Sequence, residues 1–127
     1  MTMPLRESVA RMKAAVAARF PEDAEVVDAQ MLDFDEDAYE VWLENFCELT
    51  NAAMARRDEA TVRAHLSYIS QQLNEGDEEV TRAVDVAYAE NLMWSLNGEG
   101  KRWAWPLVPS NLRQLYLNMW GEPRLDD

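Results

Sequence analysis

Eleven carboxylates occupy residues 22 to 48 without one Lys, Arg or His among them, so any fold of this chain must leave them in water or bring a cation to them. They are Glu22, Asp23, Glu25, Asp28, Asp33, Asp35, Glu36, Asp37, Glu40, Glu44 and Glu48. The acidity is local. Residues 1 to 20 carry +3, residues 21 to 50 carry −11, residues 51 to 74 carry +1, residues 75 to 100 carry −6 and the remainder +1, for a net charge of −12. Two acidic zones therefore stand on a nearly balanced background. Such a field repels nucleic acid and anionic lipid and steers a basic protein into encounter.

The rest of the composition is that of one globular domain, residues 1–127. An apolar fraction of 48% with five Trp is enough to build a core despite the charge. Cys47 is the only cysteine, which excludes an internal disulfide and points to a reducing, cytoplasmic location. Arg6, Arg11, Lys13 and Arg19 interrupt the N-terminal segment, which lacks the apolar run of a signal peptide, and nothing approaches a membrane-spanning length.

Apolar residues recur at helical spacing almost throughout. Leu5, Val9, Met12, Val16 and Phe20 predict a helix that Pro21 stops, with a short helical turn near Ala24 to Leu32. Asp35 or Asp37 can cap a long helix to about Arg56 whose inward stripe is Tyr39, Trp42, Leu43, Phe46, Leu49, Ala53 and Met54. Asp58 caps the next helix, which carries Val62, Leu66, Ile69 and Leu73 and ends at Gly76. Asp77 caps another, expected to run to Asn97, where Gly98 and Gly100 end it. Pro106 and Pro109 predict an irregular segment before a last helix from Ser110 to Gly121. The expectation is an all-α, single-domain antiparallel bundle of five or six helices.

On that scaffold Glu40, Glu44 and Glu48 follow at four-residue steps, about 6 Å apart along one face of the long helix, with Asp33, Glu36 and Asp37 ahead of them. A solvated face explains many such rows. Ordinary solvated helices alternate signs, however, as this chain does at Glu59/Arg63 and Glu78/Arg82, and the acidic row does not. Asp33, Glu36, Asp37, Glu40, Glu44 and Glu48 are accordingly the candidate partner-binding residues. The second acidic group, Glu75, Asp77, Glu78 and Glu79, sits at a helix start, where the helix dipole accounts for it.

Catalytic chemistry has little to work with here. His65 is the single histidine and has no His or Glu at metal-ligand spacing, which favours a structural role. Cys47 lies beside Glu48, whose charge raises a thiol pKa, so an inert thiol is expected. No phosphate-binding Gly-rich loop occurs, and Asp33, Asp35 and Asp37 run into Ala38 where a calcium loop turns at Gly. Neither a catalytic residue nor a cofactor nor a metal is assigned. Tyr88, Trp94, Trp103, Trp105, Tyr116 and Trp120 crowd the C-terminal third, and the Trp103 to Trp105 loop is expected to clamp the end of the bundle. Asn91 is expected to be a satisfied core or interhelical polar group, with partner contact the second reading.

The runs Tyr88-Ala89-Glu90-Asn91-Leu92, Trp103-Ala104-Trp105-Pro106-Leu107 and Pro109-Ser110-Asn111-Leu112-Arg113-Gln114-Leu115-Tyr116 resemble those of an uncharacterised family of small bacterial domains. In size and acidity the chain is also similar to immunity proteins of bacterial toxin systems, including contact-dependent growth inhibition. The first resemblance covers about the last forty residues and supplies no catalytic residue. It implies a cytoplasmic antidote that binds one cognate toxin domain. The resulting expectation is a non-enzymatic immunity or inhibitor protein that occludes the substrate site of a basic toxin, such as a nuclease. The alternative is an acidic helical chaperone or adaptor for a secreted basic effector.

Overall fold

Pro21 does what its chemistry dictates and opens a helix as it closes one. A computed structural model describes residues 6–125, in which α1 (Glu7–Arg19) ends at Phe20 and α2 (Pro21–Gln30) begins with the proline at its first position, where a missing N–H costs nothing. After a turn-rich loop come α3 (Tyr39–Ala55), α4 (Glu59–Glu75), α5 (Glu78–Ala83), α6 (Gly98–Ala104) and α7 (Ser110–Trp120). The described residues hold no strand, and none of their helices is long and apolar enough to cross a membrane.

Among the described residues the α-helix count is seven, above the expected five or six, for two local reasons. The turn expected near Ala24 is a full helix because Ala24 and Val27 bury one side of it. Where the glycines and prolines predicted irregular chain, Asn97 accepts the Gly100 N–H at 2.8 Å and starts α6, so Gly98 and Gly100 open a helix. Trp105–Leu107 continues it as one 3₁₀ turn.

The helix expected from Asp77 to Asn97 is likewise not continuous. From Val84 to Ala89 it widens into π-helix, with the Glu90 N–H on the Asp85 carbonyl at 3.0 Å. Consecutive Ala87, Tyr88 and Ala89 are all buried. The chain then turns through Met93, whose φ of 63° lies in the left-handed region.

Other signals act as read. Asp58 accepts the Thr61 N–H at 3.2 Å and Asp77 the Val80 N–H at 3.1 Å, each capping its helix. α3 is not capped by Asp35 or Asp37; its N-cap is Ala38, without a side-chain bond. Its far end closes through two backbone bonds, Arg57 N–H to Met54 O and Asp58 N–H to Ala53 O, with Arg57 at φ 60° where glycine is usual. Gly76 is required by close approach, since a Cβ there would stand 2.5 Å from Val80 Cγ1.

α3 is the axis of the molecule, packed by α1, α2, α4, α6 and the π-helical segment. Trp42, Leu43, Phe46, Ala53 and Met54 of its inward stripe are buried, while Tyr39 and Leu49 pack at the edge. Trp42 stacks on Phe46 at 5.8 Å with an interplanar angle of 6°.

Candidate functional site

Because the core claims one side of α3, its carboxylates face outward. Of the eleven carboxylates between residues 22 and 48, Glu40 pairs with Arg6 and Asp23 with His65; the other nine are exposed and meet no Lys, Arg or His within salt-bridge distance among the described residues. Asp33, Glu36 and Asp37 lie in the α2–α3 loop beside exposed Leu32 and Phe34, and Glu44 and Glu48 on α3 itself.

Glu40 differs from its neighbours because α1 delivers a base that residues 22 to 48 lack. Arg6 donates to the Glu40 carboxylate, lies 5.0 Å over the Tyr39 ring, and also reaches the Asp37 carbonyl. Burial pushes the Glu40 carboxyl up, but the Arg6 hydrogen bond and charge outweigh it and hold the carboxyl below its ordinary range. Glu44 goes the other way. Partial burial, then the charges of Glu90 and Glu40, raise its carboxyl pKa, which places Glu90 of the turn after the π-helix within electrostatic reach of the α3 row.

A second constellation is buried. His65 Nε2 lies 2.8 Å from Asp23 Oδ2, His65 Nδ1 2.9 Å from Thr50 Oγ1, and Thr50 Oγ1 2.7 Å from the Tyr88 hydroxyl. α2, α3, α4 and the π-helix each contribute one member. An ionised Asp23 can only accept, so Nε2 carries the imidazole proton, Nδ1 accepts from Thr50, and Tyr88 donates to Thr50. His65, Thr50 and Tyr88 are at most 1% exposed, and only Asp23 reaches the surface, where it lines a 410 Å³ cleft with Arg19, Arg56 and Thr61. The order carboxylate, imidazole, hydroxyl is that of a hydrolase triad, but the Thr50 oxygen is sealed against Tyr88 and lies 3.5 Å from the Phe46 carbonyl, with no approach for a substrate. The relay ties helices together. Burial lowers the His65 pKa against the opposing pull of Asp23, and burial raises that of the Tyr88 hydroxyl well above its ordinary value.

Cys47 is fully buried and donates to the Tyr88 carbonyl at 3.3 Å; burial, then Glu48 and Glu44, push its thiol well up. Among the described residues no three His, Cys, Asp or Glu side chains group to hold a metal ion.

Asn51, absent from the sequence-derived candidates, organises the turn after the π-helix. Its amide donates to the Asn91 carbonyl at 2.9 Å and its oxygen accepts the Met93 N–H at 2.8 Å, which holds the left-handed Met93 in place. The Asn91 amide donates to the Ala87 carbonyl at 2.8 Å, four residues back in its own segment, so it is satisfied locally and not between helices. Thr50 and Asn51 were visible only as adjacent polar residues in an otherwise apolar run.

The aromatic third divides in two. Trp103 and Trp105 are half-buried, and Arg113 donates to the Trp105 and Val108 carbonyls and lies 5.1 Å over the Trp105 ring; the expected loop is instead the end of α6 and a 3₁₀ turn, packed on α3 and α4. Trp94 and Trp120 remain 67% and 47% exposed, with ring centroids 5.8 Å apart. Trp120 Nε1 donates to the Glu90 carbonyl at 3.0 Å.

Residues 14–121 match the family described as a domain of unknown function, DUF7674. The chain belongs to that family. The DUF7674 match spans the whole acidic stretch, all four members of the buried relay and both exposed Trp residues. No curated protein and no solved structure matches this DUF7674 domain.

Proposed function

We propose that this DUF7674 domain is a non-enzymatic protein-binding module, an immunity or inhibitor protein that occludes the substrate site of a basic bacterial toxin, such as a nuclease, in the cytoplasm. One observation carries the reading. Nine carboxylates of residues 22 to 48 are exposed without a basic partner among the described residues, whereas α1, α4 and α5 each hold a base–acid pair, at Arg11–Glu7, Arg63–Glu59 and Arg82–Glu79. Asp33, Glu36, Asp37, Glu44 and Glu48 offer Lys or Arg of the partner what phosphate would otherwise offer. Glu40 contributes less freely, since Arg6 already holds it.

Exposed Leu32 and Phe34 inside the acidic loop support a protein partner, because apolar side chains at the centre of a charged rim anchor protein interfaces. The same features would serve a chaperone that holds a basic effector before export.

The test is direct. An immunity gene lies immediately downstream of its toxin gene, so the purified product of the upstream gene should form an equimolar complex with this domain and lose its activity in it. A complex in which the effector is kept unfolded selects the chaperone reading. Absence of a complex with that product at low salt contradicts the immunity reading.

A further inference from the structure

An acidic face gives steering but little grip, and the most exposed large aromatic of the chain sits on a turn tied to the helix that bears that face. Trp94, 67% exposed, follows directly on Met93, and Met93 is fixed by a hydrogen bond to Asn51 of α3. Asn51 comes one turn after Glu48 on the same helix, so the C-terminal half of the acidic row and the Trp94 turn are held together through one buried amide. Trp120 leans against Trp94 and is tied through its indole N–H to Glu90, the residue whose charge reaches Glu44. Through the Asn51 amide and the Glu90 carbonyl the two rings are thus tied to the helix that carries the carboxylate row and to a residue whose charge reaches it.

From this juxtaposition we propose that Trp94 and Trp120, with Glu44, Glu48 and Glu90 beside them, form the anchoring site for an arginine side chain of a basic protein partner. The inference rests on the protein-binding reading above and names where and what that surface grips. A guanidinium is planar and weakly hydrated and lies flat on an indole face while its N–H groups reach carboxylates; an ammonium does the first poorly. The rings border a 240 Å³ cleft whose further wall includes Lys101, Glu122 and Arg124. Glu90 and Glu122 balance Lys101 and Arg124 in the cleft, and Glu44, within electrostatic reach of Glu90, tips the surface toward an incoming cation. An indole truncated at Trp94 leaves the core intact, because most of that side chain is in water.

The experiment compares nona-arginine and nona-lysine peptides at low salt, read by tryptophan fluorescence and calorimetry, on the wild-type domain, Trp94→Ala, and the pair Glu44→Gln with Glu48→Gln. The expected result is a preference for nona-arginine of about threefold or more that disappears in Trp94→Ala, because exposed cation–π contacts are of that size. Equal binding of both peptides, unchanged in Trp94→Ala but weakened by the Gln pair, overturns the arginine anchor and leaves the acidic face as the binding surface. Binding indifferent to all these substitutions overturns both readings.

Discussion

His65 and Asp23, 42 residues apart in sequence, meet at 2.8 Å between Nε2 and Oδ2, and through Thr50 that contact reaches the hydroxyl of Tyr88 in the core. A surface carboxylate is thereby wired to the centre of the molecule. The wire carries a pH dependence whose sign is fixed. Burial lowers the folded-state pKa of His65 below its ordinary value, so the unfolded chain binds the proton more readily. His65 stability is complete above about pH 6.5 and declines as pH falls from there toward the folded pKa. Urea unfolding at pH 7.5 and 5 should show wild type losing stability relative to His65→Gln at the lower pH. Asp23→Asn, which removes the opposing pull, should lower the His65 pKa further in an NMR titration; a rise would contradict the arrangement.

Thr50 is the joint of the relay. Thr50→Val keeps the shape but strands the Tyr88 hydroxyl and His65 Nδ1 in the core, and should cost about 2 kcal/mol or more. Tyr88→Phe removes one donor and leaves the Thr50–His65 bond, so about 1 kcal/mol is expected. Denaturant midpoints that rank the two variants the other way would contradict the donor order derived for the relay.

Trp42 tests the core independently. It is 1% exposed, stacked on Phe46, and donates from Nε1 to Asp28 at 2.9 Å. Trp42→Ala should cost about 3 to 5 kcal/mol in equilibrium unfolding, as aromatic truncations in cores do. A cost below about 1 kcal/mol would place the ring outside the core.

Glu44 and Glu40 should respond to charge removal with opposite signs. The Glu44 carboxyl is raised by burial and by Glu90 and Glu40, so its charge is unfavourable in the fold, and with solvent screening of this exposed group Glu44→Gln should be neutral to slightly stabilising at pH 7. That gain should fade as pH falls through the carboxylate range. Glu40→Gln breaks the Arg6 pair and should be neutral or slightly destabilising. Thermal melts of the two variants at pH 7 check both signs.

Local chemistry was legible in the sequence, and tertiary pairing was not. Asp58 and Asp77 marked helix starts and Pro21 the end of the first helix, because side-chain caps and proline geometry act within three residues; that Pro21 also opens α2 went unread. The α3 stripe was legible because a 3.6-residue period is a property of one segment. The base that α1 brings to Glu40, the carboxylate that α2 brings to His65, and the pairing of Asn51 with the Met93 turn each join segments more than thirty residues apart, and no local pattern encodes them. Gly98 and Gly100 misled for a related reason: glycine marks a break in a helix, and only the Asn97 side chain decides that a new helix starts there. The acidic candidates were legible as charge, whereas the exposure of Trp94 beside them depends on how the turn after the π-helix is held.

The central claim is that exposed carboxylates of this domain receive a basic protein, and association kinetics test it most directly. The rate constant for binding the product of the gene immediately upstream should be measured at low and high salt for wild type and for the Glu44→Gln, Glu48→Gln pair, which avoids the Arg6 contact of Glu40. Steering charges act on encounter, so the pair should associate more slowly at low salt and with a flatter salt dependence. An unchanged rate and an unchanged salt slope would mean that the carboxylates of α3 are only a solvated face.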